Sequence, residues 1–302
     1  MALNPQCSLI AVLGGKGGVG KSIVAANLTA AMTLELRTAV LLIDCDTKSV
    51  GDQNIITGLK PIKTLRELAT STQSLNATPL QQIITQHPAG FAYLGAVRGP
   101  EEILSVPSDS LSKLIEFCSR SFKYIIVDLG NDIGPMQTTI LQDATAICIV
   151  ATPEILVVQQ TQRMINELLT QTYPKECLQL ILNKFSTAGL PPQVIGQHLG
   201  LQPLALIPAD EATTSASLRD SKPFVVSNPK SALSAAYFDL VRKLTGGTLQ
   251  KLKSIQKPKP VAAPATSNAS SADPQLTSTT GYDARTLLKL RIHSELIRTI
   301  DL

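Results

Sequence analysis

The chain has 302 residues, 44% of them hydrophobic and 17% charged, an α/β-type globular composition with room for one large domain plus an appendage or for two small ones. No apolar run reaches the roughly 18 residues that span a bilayer, and the seven residues ahead of the first predicted strand are too few for a secretory signal, so a cytosolic protein is expected. The net charge of +4 falls on residues 246–302, because residues 1–245 are charge-balanced, and a neutral body is weak ground for nucleic acid as the main partner.

In chain order, Ser8 to Leu13 is an apolar run that predicts a buried strand, and Ile23 to Leu36 has the length and Ala-rich propensity of a helix. Between them runs Gly14-Gly15-Lys16-Gly17-Gly18-Val19-Gly20-Lys21-Ser22, with the G-x-x-x-x-G-K-S spacing from Gly15 to Ser22. Such a loop is a phosphate cradle. Its glycines let successive backbone N–H groups face a polyphosphate at a helix N-terminus, Lys21 supplies a cation for the outer phosphates, and the Ser22 hydroxyl can ligate magnesium.

The second lysine, Lys16, makes K-G-G-V-G-K-S resemble the deviant Walker A motif of the ParA/MinD family of ATPases. The resemblance implies ATP and Mg2+ as ligands, held by Gly15, Gly17, Gly18, Val19, Gly20, Lys21, Ser22 and Ile23. It also implies that Lys16 contacts the nucleotide of a partner subunit, so that an ATP-dependent homodimer closes face to face over two ATP molecules.

Thr38 to Asp44 is a β-branched apolar run ending in an acid, predicted as the second core strand with its carboxyl end toward the phosphates. Asp44-Cys45-Asp46 opens a polar loop; by resemblance, Asp46 is the switch I aspartate that positions the attacking water and Asp44 helps organise the magnesium site. Thr64–Ala69 and Pro79–Gln86 read as short helices, and Gly90–Val97 as a strand. Leu111–Ser121 is an amphipathic helix leading to Tyr124-Ile125-Ile126-Val127-Asp128, a buried strand of Walker B pattern whose Asp128 is expected to hold magnesium through water. Four residues on, where the family usually has a glycine, stands Asp132, which leaves Gly130 or Gly134 to supply the switch II N–H.

Ala144–Ala151 is a further apolar strand, followed by Thr152-Pro153-Glu154 and a helix to about Gln171. Leu178–Leu182 is the next strand and ends at Asn183, which matches the family's adenine-recognising asparagine. Pro203–Ile207 is a last strand, and Pro208-Ala209-Asp210 followed by Lys222-Pro223 resembles the family's loop that packs on the base. Ser231–Leu244 is a closing helix. Strands alternating with helices predict an α/β fold with one doubly wound, mostly parallel sheet flanked by helices, the P-loop NTPase fold, over residues 1–246. The five cysteines, Cys7, Cys45, Cys118, Cys148 and Cys177, form no C-x-x-C pair and no metal-ligand spacing with the three histidines, so buried, reduced thiols are expected.

Residues 247–281 are rich in Pro, Ala, Ser and Thr and predict a flexible linker. In 282–302, Leu288, Ile292, Leu296 and Ile300 share one helical face. That amphipathic helix can dock on a partner, lie on a membrane as the MinD C-terminal helix does, or begin a further domain; its words look like the entry helix of CpaF/TadA-type secretion ATPases. With the ATPase motifs, this makes the chain resemble the CpaE/TadZ pilus-assembly group, although that group commonly carries a receiver-like domain ahead of the ATPase. The expected function is a magnesium-dependent ATPase, slow until a partner completes its site, acting as a dimeric switch. It would position a membrane-associated assembly, the Tad pilus and secretion machinery, with a secretion ATPase or inner-membrane platform component as partner and recruitment to the inner membrane or cell pole. The alternatives are a ParA-like DNA-binding partition protein, supported by Arg219, Lys222, Lys230, Arg242 and Lys243, a MinD-like spatial regulator, and a scaffold that binds nucleotide without hydrolysing it.

Overall fold

The computed structural model describes residues 3–70, 79–98 and 106–255. The predicted helix at 282–302 and most of the predicted linker lie outside them. In order, β1 (Ser8–Leu13) leads to α1 (Lys21–Leu36), β2 (Val40–Asp44), α2 (Asp52–Thr57), α3 (Leu65–Thr70), β3 (Thr85–Gln86), β4 (Ala92–Leu94), α4 (Ser108–Ser119) and β5 (Tyr124–Asp128). Then follow α5 (Pro135–Asp143), β6 (Ala146–Ala151), α6 (Ile155–Thr170), β7 (Leu178–Phe185), α7 (Pro192–Leu199), β8 (Pro203–Pro208), α8 (Glu211–Arg219), α9 (Phe224–Ser227), α10 (Ala232–Lys243) and α11 (Leu249–Lys253).

The strands form one eight-stranded sheet in the order β3-β4-β2-β5-β1-β6-β7-β8. All neighbours pair in parallel except β3 with β4. Every residue of β1, β2, β5 and β6 is buried. Such strands are covered by helices on both faces, which is why they read as continuous apolar runs rather than alternating ones. Helix α1 is buried over most of its circumference, from Val24 to Thr33, and packs against α2, α9 and α10.

Strand order reverses around β1, which has β5 on one side and β6 on the other. The registers set Val12 beside Asp128 and Asp44 beside Asp128. The carboxyl ends of β1, β2 and β5 therefore open at one edge of the sheet, the usual ligand crevice of such folds.

Several expectations change, among them the polar loop after Asp46, which contains α2, and the strand 90–97, which is β4 over Ala92–Leu94 alone. The segment 79–86 is a single 3-10 turn, Leu80–Gln82, followed by β3; Ile83 and Ile84 are buried, and the ladder with β4 competes successfully with helix. Strand β7 continues past Leu182 to Phe185 because β8 pairs with it to Pro208. The helices α5 and α7 were not anticipated; each starts at a proline, a residue suited to the first helical turn. Finally, the folded body passes residue 246: α11 buries Leu249 and Leu252, and Lys253 Nζ donates to the carbonyls of Pro5 at 2.9 Å and Gln6 at 3.0 Å.

All five cysteines are buried thiols, none of them in a disulfide. Burial pushes Cys7 up to about 11, Cys118 and Cys148 up to about 12, and Cys45 well above its ordinary value, so none of these four is a ready thiolate. Among the described residues no helix is long and apolar enough to cross a membrane.

Candidate nucleotide site

The loop from Gly14 to Gly20 joins the end of β1 to α1. Gly20 caps α1 with φ +90, and a Cβ there would stand 2.5 Å from Asn183 Nδ2, so both backbone conformation and close approach demand glycine. Lys21 is buried, and its Nζ donates to the Lys16 carbonyl at 3.2 Å. Burial lowers its pKa, against the opposing pull of Asp128, Asp46 and Asp52. The Lys16 side chain is exposed on the crest of the loop.

Three acids meet beside this loop. Asp44 and Asp128, opposite each other on β2 and β5, are fully buried. Asp44 is held well above the usual carboxylate range by burial and then by the neighbouring Asp128; Asp128 is raised chiefly by burial, against hydrogen bonds from the Gln53 and Ser22 side chains. Asp44 Oδ1 accepts from the Asp46 N–H at 3.2 Å, while its Oδ2 is buried with no hydrogen-bond partner. Asp46 Oδ1 accepts from the N–H groups of Lys48 at 2.8 Å and Ser49 at 3.0 Å. That turn directs the carboxylate toward Gly130, where a Cβ would lie 2.5 Å from Asp46 Oδ1.

The Asp132 position resolves simply. Its carboxylate makes a 3.5 Å ion pair with Lys48, both side chains about half exposed, so it sits outside the acid cluster. Gly130, two residues earlier, has φ +71 and donates its N–H to Asp128 Oδ1 at 3.3 Å. It is the glycine of this turn that borders the site.

Two adjoining cavities frame the loop. One of about 450 Å³ is lined by Gly17, Gly18, Lys21, Ser22, Asp46 and Asp52, among others, and one of about 200 Å³ by Ile23, Asn183, Pro208, Phe224 and Tyr237; Gly20, Ile23, Lys184 and Thr214 border both. Asn183 Nδ2 donates to the Val19 carbonyl at 2.9 Å. Of the residues singled out from the sequence, Gly17, Gly18, Gly20, Lys21, Ser22, Ile23, Asp46, Asn183 and Pro208 line these cavities, whereas Asp44 and Asp128 are buried behind them and Gly15 is buttressed by the α6 backbone at Gln160.

Sequence reasoning missed two residues here. Gln53, the second residue of α2, is fully buried, and its Nε2 donates both to Asp128 Oδ2 at 2.8 Å and to the Ser22 carbonyl at 2.9 Å. Lys184 Nζ donates to the Gly18 carbonyl at 2.9 Å. Neither lies in a motif with its partners, and no local pattern announces a contact across 75 or 166 positions.

Among the described residues no three His, Cys, Asp or Glu side chains form a metal cage. Magnesium does not require one, since it retains water and binds through few carboxylates together with substrate phosphates. The partnerless Asp44 Oδ2, the Asp128 carboxylate and the Ser22 hydroxyl fit such an ion. The basic residues near the end of the body are largely occupied. Arg242 pairs with Glu35 and Asp239, Arg219 with Asp220, and Lys243 Nζ donates to the Leu204 carbonyl.

A strand, glycine-rich loop and helix facing acids from two adjacent strand ends define a P-loop nucleotide-binding protein. The family profile described as "CobQ/CobB/MinD/ParA nucleotide binding domain" matches residues 10–224, and the chain belongs to that family. It is similar to the septum site-determining protein MinD of Bacillus subtilis, 25% identical over 245 residues, which cover 78% of this chain and 88% of that protein. Among solved structures, a ParA family ATPase from Chlorobium tepidum aligns with TM-score 0.72 and 23% identity, over 79% of this chain and 98% of that one. MinD from Pyrococcus horikoshii complexed with Mg-ADP aligns with TM-score 0.67 and 22% identity, over 82% and 98%.

Proposed function

We propose that the chain is a magnesium-dependent ATPase that works as a nucleotide-switched homodimer. The observation that carries this reading is that Lys21, Ser22 and Asp46 line one cavity, with the buried Asp44 and Asp128 paired at the adjacent strand ends and Lys16 exposed on the loop. The Mg-ADP complex of the related MinD fold supports the same ligands.

Catalysis is electrostatic. Lys21 and the loop N–H groups stabilise charge on the outer phosphates. Asp46, its Oδ1 occupied by two backbone N–H groups, has Oδ2 left to accept a hydrogen bond from the attacking water and orient it. Ser22, Asp44 and Asp128 would hold magnesium, which when bound would supply further neutralisation of the phosphates. Asn183, Pro208 and Ile23 enclose the base in the smaller cavity. Lys16 crosses to the nucleotide of the other subunit; its ammonium has no partner among the described residues.

The switch positions a larger assembly in the cell, a role supported by the septum-site relative. That the assembly is the Tad pilus and secretion machinery is the finer proposal. It rests on the resemblance of residues 282–302, outside the described chain, and the relatives named above add nothing to it. The same terminal segment would carry any association with the membrane. The DNA-binding alternative loses ground because most of its cations are already engaged.

Light scattering with and without Mg-ATP, combined with titration of labelled nucleotide, tests the switch. The parent is expected to dimerise with ATP and not with ADP. Lys21→Ala should lose tight binding, and Lys16→Ala should bind ATP yet stay monomeric. ATP-driven dimerisation of Lys16→Ala equal to the parent refutes the cross-subunit role.

A further inference from the structure

The end of β7 is irregular where it borders the nucleotide loop. Between the pairs Leu182 with Leu206 and Phe185 with Pro208, β7 advances three residues while β8 advances two, which is a β-bulge. Within it Lys184 takes φ +51, a left-handed conformation that a residue with a long side chain adopts at a cost in free energy. Bulges of this kind re-aim side chains and cluster beside functional sites.

The result of the re-aiming is specific. Regular alternation would send Asn183 and Lys184 to opposite faces of the sheet. Instead both reach consecutive carbonyls of the same loop: Asn183 Nδ2 to Val19 at 2.9 Å and Lys184 Nζ to Gly18 at 2.9 Å. With Lys21 Nζ on the Lys16 carbonyl at 3.2 Å, three side-chain nitrogens draw three carbonyls of the segment 16–19 toward the protein. A peptide unit whose carbonyl is tied one way presents the N–H on its other side the opposite way. Lys184 is moreover the one cation besides Lys21 among the residues lining the larger cavity, and it borders the smaller one as well.

We propose that Lys184 is a positioning residue for the phosphate loop. Its ammonium pins the Gly18 carbonyl, so that the Val19 N–H of the same peptide unit faces the opposite way, toward the phosphates, and the crest Lys16-Gly17-Gly18 is held in the orientation that Mg-ATP and the partner subunit require. The bulge and the left-handed backbone deliver this contact. The proposal rests on the ATP-site reading above, and it concerns a residue that acts through the loop rather than on the phosphates.

Three measurements on Lys184→Met and Lys184→Arg test it. The side chain is exposed, so the thermal midpoint of the nucleotide-free protein should match the parent for both variants. Amide hydrogen exchange in residues 14–22 of nucleotide-free protein should quicken in Lys184→Met and return toward the parent in Lys184→Arg. Affinity for Mg-ATP should fall about tenfold in Lys184→Met, the loss expected for one charge-assisted hydrogen bond, and recover in Lys184→Arg. Parent-like exchange and affinity in Lys184→Met overturn the proposal. So does a loss of affinity with unchanged loop exchange, which would make Lys184 a direct phosphate ligand. A parent that binds no Mg-ATP would remove the ATP-site reading, while the exchange result would still decide what Lys184 does to the loop.

Discussion

Gly130→Ala is a steric probe of the two turns that follow β2 and β5. Gly130 holds φ +71, where a side chain costs about 1–3 kcal/mol of stability. A Cβ there would lie 2.5 Å from Asp46 Cγ and Oδ1 and 2.7 Å from Oδ2, so the carboxylate must retreat by about 1 Å to regain van der Waals separation. For a group that aligns a reactant, a displacement of that size costs about 10²-fold in rate. The phosphate loop keeps its own contact with this turn, because the Gly14 N–H donates to the Gly130 carbonyl at 3.2 Å through backbone atoms alone. The variant should therefore bind Mg-ATP near the parent affinity, release phosphate about 10²-fold more slowly, and melt lower by about 2–4 °C for each kcal/mol lost. Phosphate release at saturating ATP, nucleotide titration and thermal unfolding measure the three quantities. Gly134→Ala is the control. Its backbone is extended, and the nearest atom to a new Cβ is the flexible Gln137 Oε1 at 3.1 Å, so it should behave like the parent. A Gly130→Ala variant that hydrolyses ATP at the parent rate refutes the placement of Asp46 against the reacting water.

Gln53→Leu removes the amide that holds Asp128 and the Ser22 carbonyl. Loss of such an outer partner should raise the Mg2+ concentration for half-maximal ATP binding about 10–100-fold, with metal-free ADP binding unchanged. Asp44→Asn keeps the acceptor for the Asp46 N–H while removing a buried charge. Because the Asp44 pKa is raised on folding, chiefly by burial, the folded state binds its proton more tightly, and the resulting loss of stability grows as pH rises from the unfolded carboxyl value toward the folded one. The nucleotide-free variant should melt above the parent at neutral pH, and the gap should close as pH falls toward about 4, the ordinary carboxyl range; a parent that melts at the same temperature as the variant at neutral pH contradicts this. Leu252→Ala cuts a buried side chain in α11 and should cost about 2–5 kcal/mol. An unchanged denaturation midpoint would mean that α11 is no part of the cooperative body.

The contiguous features were legible in the amino-acid order alone. Buried parallel strands are apolar at every position, so β1, β2, β5 and β6 stand out as runs, and the phosphate loop is a local backbone device whose parts lie within nine residues from Gly14 to Ser22. The acids Asp44 and Asp128 were legible because each ends such a run. Short or marginal segments were not: β3 has two residues and exists through its ladder to β4, and α11 holds through Leu249 and Leu252 reaching the core. In the sequence Asp132 stands where the family has a glycine and the choice between Gly130 and Gly134 is open, whereas the folded turn swings Asp132 out to Lys48 and brings Gly130 against Asp46. Pairing across the fold is what tertiary structure alone decides. Gln53 reaches Asp128 because α2 packs against α1, and Lys184 reaches Gly18 because one extra residue in β7 overrides the alternation of the strand. Both contacts follow from distances between segments that no local periodicity encodes.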